Sequence, residues 1–267
     1  MSPANNQGGV PKLKKGGGYA PIKQSNTLPY VLGGIVIVVI IAVIAVVLVT
    51  HRSSTPKPPT AADKTAAVAQ LASTASFTAG SPTAKVTVDI FSDFQCPYCA
   101  EFEQQSGPQI VQAIDAGTLQ VRYHVVNFLD QNSASGTYSS RAAGAALSIA
   151  KSSLPAAQKQ KVWLAYYQTL YAQQPKEKGD GGTSDYSNAD LARIAGQAAK
   201  TAGVTLPAEV TKAISDGTNV AAASTAGQSG MTLLETLGGQ GTPTVIHDGA
   251  PVDALGNPGW LNTLLAG

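Results

Sequence analysis

Two cysteines, Cys96 and Cys99, constrain the fold of this chain more than any other feature. They are the only cysteines among 267 residues, and Pro97 and Tyr98 separate them. The apolar, alternating residues 86–91 precede the pair and predict a strand. Two thiols at this spacing can close a disulfide within one turn of backbone. Closing so short a loop removes little chain entropy, so the pair does not serve to staple a fold.

The segment that follows is predicted to be a helix from Cys96 to about residue 114, which Gly107–Pro108 should kink or interrupt. Pro97 suits the first helical position, because its φ is already set and no N–H donor is needed there. Unpaired N–H groups and the helix dipole at this end favour a thiolate over a thiol. We therefore expect a redox-active pair in which Cys96 is the nucleophile and Cys99 the resolving cysteine.

Other functional classes find little support in the composition. The formal net charge is only +2, and no Lys/Arg run is interleaved with aromatic residues, which argues against nucleic-acid binding. Structural zinc requires four ligands. Beyond the two cysteines the chain offers only His51, His124 and His247, so neither a metal nor another cofactor is expected. Asp93 and Glu101, the acids nearest the cysteines, are predicted to be solvated.

The chain before residue 76 predicts three segments. Residues 1–29 are polar and rich in Gly, Pro and Lys, which is typical of a disordered tail. Residues 30–50 are almost wholly apolar and reach the roughly 20 residues that a transmembrane helix needs. Residues 51–75 are predicted to be a linker. Lys residues before the apolar run slightly outnumber the Lys and Arg residues after it, which favours a cytoplasmic N-terminus.

A cleaved signal peptide is the alternative interpretation of residues 30–50. The apolar part of a signal peptide is usually about 7–15 residues long, shorter than this run. No clear Ala-x-Ala cleavage site follows it either. We therefore predict a single-pass anchor in the cell membrane, with the remainder of the chain outside the cytoplasm.

Residues 76–267 are predicted to form one α/β domain. Strands are expected over residues 83–91 and 119–128, on either side of the helix that begins at Cys96. The middle, about residues 138–237, is helical by composition and would be an insert. A strand, a hairpin at Asp248–Gly249 and a terminal helix should follow. Strands that alternate with helices indicate an α/β architecture.

Two stretches of this domain resemble the DsbA-type thiol–disulfide oxidoreductases of bacteria, within the thioredoxin-like superfamily. They are residues 89–103, with the sequence DIFSDFQCPYCAEFE, and residues 241–244, with the sequence GTPT. The Ala-rich helical middle fits the same family. The resemblance covers about residues 76–267. It implies a thioredoxin-like fold with an inserted helical subdomain, here preceded by one transmembrane helix.

The resemblance also implies roles for particular residues. Thr242–Pro243 would carry a cis peptide bond that faces the cysteines and, with Pro97 and Tyr98, would complete the active-site loop. A loop of this kind exposes backbone groups that can pair with an extended substrate. Asp89 would be the buried acid beneath Cys99, although the loop that follows Asp89 is one residue longer than in the best-known members. A solvated strand carboxylate is the alternative interpretation of Asp89.

The resulting hypothesis is an extracytoplasmic enzyme that oxidises cysteine pairs in exported proteins through a Cys96–Cys99 disulfide. Tyr98 stands where the most oxidising members have histidine, which indicates a less oxidising couple. A membrane partner, DsbB-like or similar to vitamin-K-epoxide reductase, would reoxidise the pair. One alternative is a reductase or isomerase fed by a membrane electron donor. Another is a substrate-holding module in which the cysteines are incidental. Glutaredoxins share the Cys-Pro-Tyr-Cys motif but lack a long insert and an anchor.

Overall fold

The computed structural model describes residues 58–267. The predicted tail, the predicted transmembrane helix and the first part of the predicted linker lie outside the described residues. Within residues 58–267, none of the helices combines the length and the apolar character that crossing a membrane requires. The compact unit spans Pro59–Gly267, so it begins within the predicted linker.

Helix α1, Ala61–Thr74, occupies this early part of the unit. Thr60 and Asp63 form a capping box, in which each side chain accepts from the other residue's backbone N–H and so satisfies otherwise unpaired donors. Ala67 and Leu71 are buried against a small apolar cluster on one face of the sheet. The helix is therefore attached to the domain by packing as well as by the chain.

A five-stranded sheet in the order β1-β3-β2-β4-β5 forms the centre of the domain. The strands are β1 Phe77–Ala79, β2 Val86–Asp93, β3 Leu119–Val126, β4 Thr244–His247 and β5 Ala250–Val252. The pair β2 and β3 is parallel, whereas all the other neighbours are antiparallel. Helix α2, Pro97–Asp115, makes the crossover between the parallel strands. The predicted α/β class is confirmed.

Strand β2 directs its side chains to two different cores, because successive residues in a strand face opposite sides of the sheet. Val88 and Ile90 belong to the main core, which also contains Cys99. Phe91 belongs to the smaller cluster beneath α1. The strand ends at Asp93, so the active-site turn begins at the carboxyl end of a fully covered central strand.

Between β3 and β4 the chain forms five helices. They are α3 Tyr138–Ala150, α4 Ala156–Ala172, α5 Asn188–Thr201, α6 Ala208–Ser215 and α7 Val220–Thr236. Short 3-10 helices lie in the connections at Asp130–Asn132 and Lys178–Asp180. The last helix, α8, spans Trp260–Ala266. Ser187 and Asp190 form the capping box that the sequence predicts at the start of α5.

The expected interruption of α2 at Gly107–Pro108 is wrong, since the helix is continuous from Pro97 to Asp115. Pro108 is exposed, and so is Gln104, whose carbonyl loses its intrahelical donor. Water can satisfy that carbonyl, which reduces the cost of the proline. Ile110 and Ile114, in the C-terminal half of the helix, are buried in the main core.

Candidate active site

Cys96 is the N-cap residue of α2, and Pro97 occupies the first helical position. The backbone N–H of Cys96 donates to the carbonyl of Asp93 over 2.9 Å. The carbonyl of Cys96 accepts from the N–H groups of Cys99 and Ala100 at 3.1 and 3.3 Å. The cysteine therefore lies where a strand becomes a helix, with the helix N-terminus beside its sulfur. Both cysteines are free thiols in this structure.

The pKa values of the two thiols are shifted in opposite directions. The pKa of Cys96 is lowered from 9.0 to about 6. The largest cause is a hydrogen bond from the Cys99 thiol; Thr242 and backbone N–H groups add to it, and burial opposes it. The pKa of Cys99 is raised well above 9.0 by burial and by its contact with Cys96. Near neutral pH Cys96 is thus the thiolate and Cys99 the thiol.

The loop before β4 supplies the opposite wall of the site. The Thr242–Pro243 peptide bond is cis, as the resemblance implies. The Sγ atom of Cys96 donates to the carbonyl oxygen of Thr242 over 3.2 Å. The hydroxyl of Thr242 is buried and has no hydrogen-bond partner among the described residues. Thr242 nevertheless lowers the pKa of both cysteines.

The surface around the thiols is partly apolar. Tyr98, between the cysteines, is 62% exposed, and Leu255 is 46% exposed. A cavity of about 190 Å³ lies beside the cis-proline loop, and its lining includes Phe102, Pro243, Val252 and Leu255. An extended apolar segment could therefore lie against the cis-proline loop.

Comparison with known proteins assigns the family. The family model described as Thioredoxin matches residues 72–265. The chain belongs to the thioredoxin family. Two solved structures are similar to it. The reduced disulfide bond oxidoreductase DsbG of Mycobacterium tuberculosis has 25% identity and a TM-score of 0.57, over 76% of this chain and 90% of that chain. The thiol–disulfide oxidoreductase MdbA of Corynebacterium diphtheriae has 25% identity and a TM-score of 0.56, over 72% and 89% of the two chains.

A curated relative also matches this thioredoxin-family chain. It is the serine/threonine-protein kinase PknE of Mycobacterium tuberculosis, 33% identical over 190 residues. The match covers 70% of this chain but 31% of the kinase, so the chain spans about a third of the length of that relative. Together with the family model, the solved structures confirm the predicted thioredoxin-like fold and the predicted enzyme class, a thiol–disulfide oxidoreductase.

The thioredoxin-family site contains a buried acid, Asp93, which was predicted from the sequence to be exposed to solvent. Asp93 is fully buried, so the prediction that it is solvated is wrong. Its carboxylate accepts from the N–H of Gln95 at 2.9 Å, the N–H of Leu129 at 3.0 Å and the hydroxyl of Ser139 at 2.5 Å. Burial raises the pKa of Asp93 to about 7, against the effect of these bonds. Ser139 and Leu129 are remote in sequence, which is why the sequence does not reveal the burial.

Asp89 is also buried, with 2% exposure, so the solvated alternative for it is wrong. Its carboxylate pairs with Arg122 at 2.5 Å and His124 at 2.8 Å. Strand alternation places it on the face opposite Ile90, and Ile90 is the neighbour that shares the main core with Cys99. Asp89 therefore lies across the sheet from the cysteines. Within residues 58–267 no three His, Cys, Asp or Glu side chains are grouped so that they could hold a metal ion.

A third buried acid, Glu103, lies one helical turn after Cys99 on the same face of α2. Burial raises its pKa to about 8, and a hydrogen bond with Tyr167 offsets part of this rise. Its Oε1 atom is buried without a partner among the described residues. Glu103 is not among the site residues that the sequence predicts. The available signal was the i, i+4 spacing from a cysteine that had to face the core.

Proposed function

We propose that this chain exchanges a disulfide between Cys96–Cys99 and cysteine pairs in other proteins, mainly in the oxidising direction. The observation that carries the proposal is the contrast between the two thiols at the N-terminus of α2, with a lowered pKa at Cys96 and a raised pKa at Cys99. Only the thiolate is the nucleophile or the good leaving group in disulfide exchange. The contrast therefore gives Cys96 the external role and Cys99 the internal one.

The oxidative cycle has two exchanges. A substrate thiolate attacks the Sγ of Cys96 in the disulfide, forms a mixed disulfide and releases Cys99, which takes up a proton. A second substrate thiolate then attacks the substrate sulfur of the mixed disulfide and releases Cys96 as a thiolate. Two electrons pass from the substrate dithiol to the cysteine pair. The substrate leaves with a disulfide, and the enzyme leaves as the dithiol.

The direction follows from which form of the enzyme is stabilised. A lowered Cys96 pKa stabilises the reduced enzyme, and this makes the couple oxidising. Tyr98, exposed between the cysteines, supplies no positive charge and limits the effect. The lack of a positive charge at Tyr98 therefore favours the second candidate function, a reductase or isomerase that uses the same two cysteines.

The location and the partners are further parts of the proposal. The apolar residues 30–50 are long enough to span a bilayer, which supports a membrane anchor with the catalytic domain outside the cytoplasm. Substrates would then be thiol-containing exported proteins. An oxidase must return the enzyme to its disulfide form, and a DsbB-like or vitamin-K-epoxide-reductase-like membrane protein would do so.

The decisive experiment measures two properties of the purified full-length protein, the pKa of Cys96 and the equilibrium constant with glutathione. We expect a Cys96 pKa well below 9.0 and a potential closer to the roughly −120 mV of DsbA than to the roughly −270 mV of thioredoxin. A Cys99→Ala variant should trap a mixed disulfide with a disulfide-containing substrate protein, because the Cys96 thiolate attacks that disulfide and no second enzyme thiol remains to release it. A Cys96 that titrates like a free thiol and forms no mixed disulfide would refute the proposal. Undiminished cellular function in a Cys96→Ser variant would favour the substrate-holding module.

A further inference from the structure

The active-site turn is joined to the helical insert by a pair of glutamines. The side-chain amide of Gln174 donates to the carbonyls of Phe94 and Cys96, both at 2.9 Å. In return, the side-chain amide of Gln95 donates to the carbonyl of Pro175 at 3.0 Å. Gln174 follows the end of α4 and is separated from the cysteines by almost 80 residues, so sequence analysis did not single it out.

The carbonyl of Cys96 accepts hydrogen bonds from three donors. It already accepts from the N–H groups of Cys99 and Ala100, so the amide of Gln174 is a third donor to an oxygen with two lone pairs. The orientation of this carbonyl determines the orientation of the next peptide units. Those units carry the N–H groups of Tyr98 and Cys99 that lower the pKa of Cys96.

Both carbonyl oxygens carry negative partial charge, and one of them belongs to the residue with the reactive sulfur. The Gln174 amide presents its positive hydrogens to both carbonyls and offsets that charge. Water is a poor substitute here, because Gln95 is fully buried and Phe94 is fully buried. In a site of low polarity, a fixed donor stabilises a nearby anion more than it would in water.

Apolar packing determines where Gln174 can lie. The ring of Phe94 packs against Tyr166, Tyr167 and Tyr171 of α4, with ring centroids 6.4, 5.6 and 5.3 Å apart. The aromatic contacts bring the end of α4 to the turn, and the amide then makes the polar contact. The arrangement is specific, since the neighbouring Gln173 is exposed.

We propose that Gln174 is a positioning residue, which holds the Cys96 carbonyl so that the N-terminal N–H groups of α2 stay directed at the reactive sulfur. The proposal rests on the proposed function, in which Cys96 is that sulfur. It makes the helical insert part of the machinery that sets the reactivity of the cysteine pair. Loss of the amide should destabilise the reduced enzyme more than the oxidised one.

The test compares Gln174→Met and Gln174→Lys in the full-length protein. Methionine has a similar length but no donor, whereas lysine keeps donors that can reach the carbonyls. We expect Gln174→Met to raise the Cys96 pKa and to shift the glutathione equilibrium about three- to tenfold toward the oxidised enzyme, which corresponds to about 15–30 mV. Gln174→Lys should leave the Cys96 pKa at or below the wild-type value. Gln173→Met is the matched control and should change neither quantity.

Melting of both redox forms separates positioning from simple support. If Gln174 has only a structural role, the reduced and oxidised forms should lose melting temperature equally. Gln174→Met and Gln174→Lys should then lower the melting temperature by the same amount. That result, or an unchanged Cys96 pKa in Gln174→Met, would overturn the inference. If Gln174→Met does not fold, a Cys96 pKa raised in Gln174→Lys would overturn it equally. A wild-type Cys96 that titrates as a free thiol would instead refute the proposed function.

Discussion

The Sγ atom of Cys96 lies 3.2 Å from the carbonyl oxygen of Thr242, a residue 146 positions later in the chain. The thiol donates to this oxygen, and a thiolate cannot. The hydroxyl of the same threonine is buried without a partner among the described residues, so it is available to donate once the proton has left. We therefore expect Thr242 to interact with both protonation states of the cysteine, through its carbonyl in the thiol and through its hydroxyl in the thiolate.

Thr242→Val should raise the pKa of Cys96, because valine has the same shape but no hydroxyl donor. One hydrogen bond contributes about 1 kcal/mol, so we expect a rise of about half a unit to one unit. The thiolate absorbance of the reduced protein, followed against pH, measures it. Thr244→Val is the control, since the Thr244 hydroxyl donates instead to the carbonyl of Gly241. An unchanged Cys96 pKa in Thr242→Val would show that the hydroxyl does not reach the sulfur.

Asp93→Asn should destabilise the protein by about 1–3 kcal/mol. Three donors converge on the two carboxylate oxygens of Asp93, and an amide NH₂ group in place of one oxygen would leave a buried donor unpaired. Denaturant unfolding measures the loss. Glu101→Gln removes the same charge from an exposed position on α2 and should be nearly neutral. Equal effects of the two changes would mean that charge, not the hydrogen bonds, determines the stability.

Glu103→Gln should change how stability depends on pH. The pKa of Glu103 rises from 4.5 in the unfolded chain to about 8 in the fold. A raised folded pKa adds stability below pH 4.5 that is lost as the pH rises to about 8. Glutamine stays neutral, so the variant should gain on the wild type across this range, by on the order of a few kcal/mol.

Unfolding free energies of the wild type, Glu103→Gln and the exposed control Glu101→Gln, measured from acid to mildly alkaline pH, test this expectation. The wild-type curve should fall more steeply than that of Glu103→Gln, while the control should run parallel to the wild type. Parallel curves for all three proteins would mean that Glu103 is ionised and solvated in the native state.

The stability of the reduced protein relative to the oxidised one should rise with pH. The folded pKa of Cys96 is lowered to about 6 from 9.0, so its contribution is fully present above pH 9.0 and lost as the pH falls to about 6. The gain is at most a few kcal/mol, and less after solvent screening. Thermal melting of both forms across this range measures it. Reduced Cys96→Ser should lack the dependence, and a wild type without it would contradict a low Cys96 pKa.

Part of the site was predictable because its causes are local. The strand before the cysteines and Pro97 at the first helical position each depend on residues a few positions apart. They follow from backbone sterics and helix-end hydrogen bonding, which act within one or two turns of chain. Thr242–Pro243 was assigned by the resemblance to the family.

Local sequence patterns could not predict which of three acids lies near a thiol: Asp89, Asp93 or Glu103. All three carboxylates are close to the cysteines in sequence, and all are buried, but each has a different set of partners. Arg122 and His124 of the neighbouring strand pair with the first, Ser139 and Leu129 donate to the second, and Tyr167 lies against the third. Which acid is near a thiol depends on the face of the strand or helix and on what covers it.

The amino-acid sequence by itself determined the reactive pair, the order of helix and strand around it and the family to which the chain belongs. Only the tertiary structure decided the electrostatics of that pair. The Cys96 pKa depends on the hydrogen bond from the Cys99 thiol, on the burial of Cys96 and on Thr242, and the turn is held by Gln174 from the helical insert. The energies of charges and hydrogen bonds depend on the distance between groups in space and on how far those groups are removed from water. At this site the partners come from residues about 80 or 146 positions away in the chain.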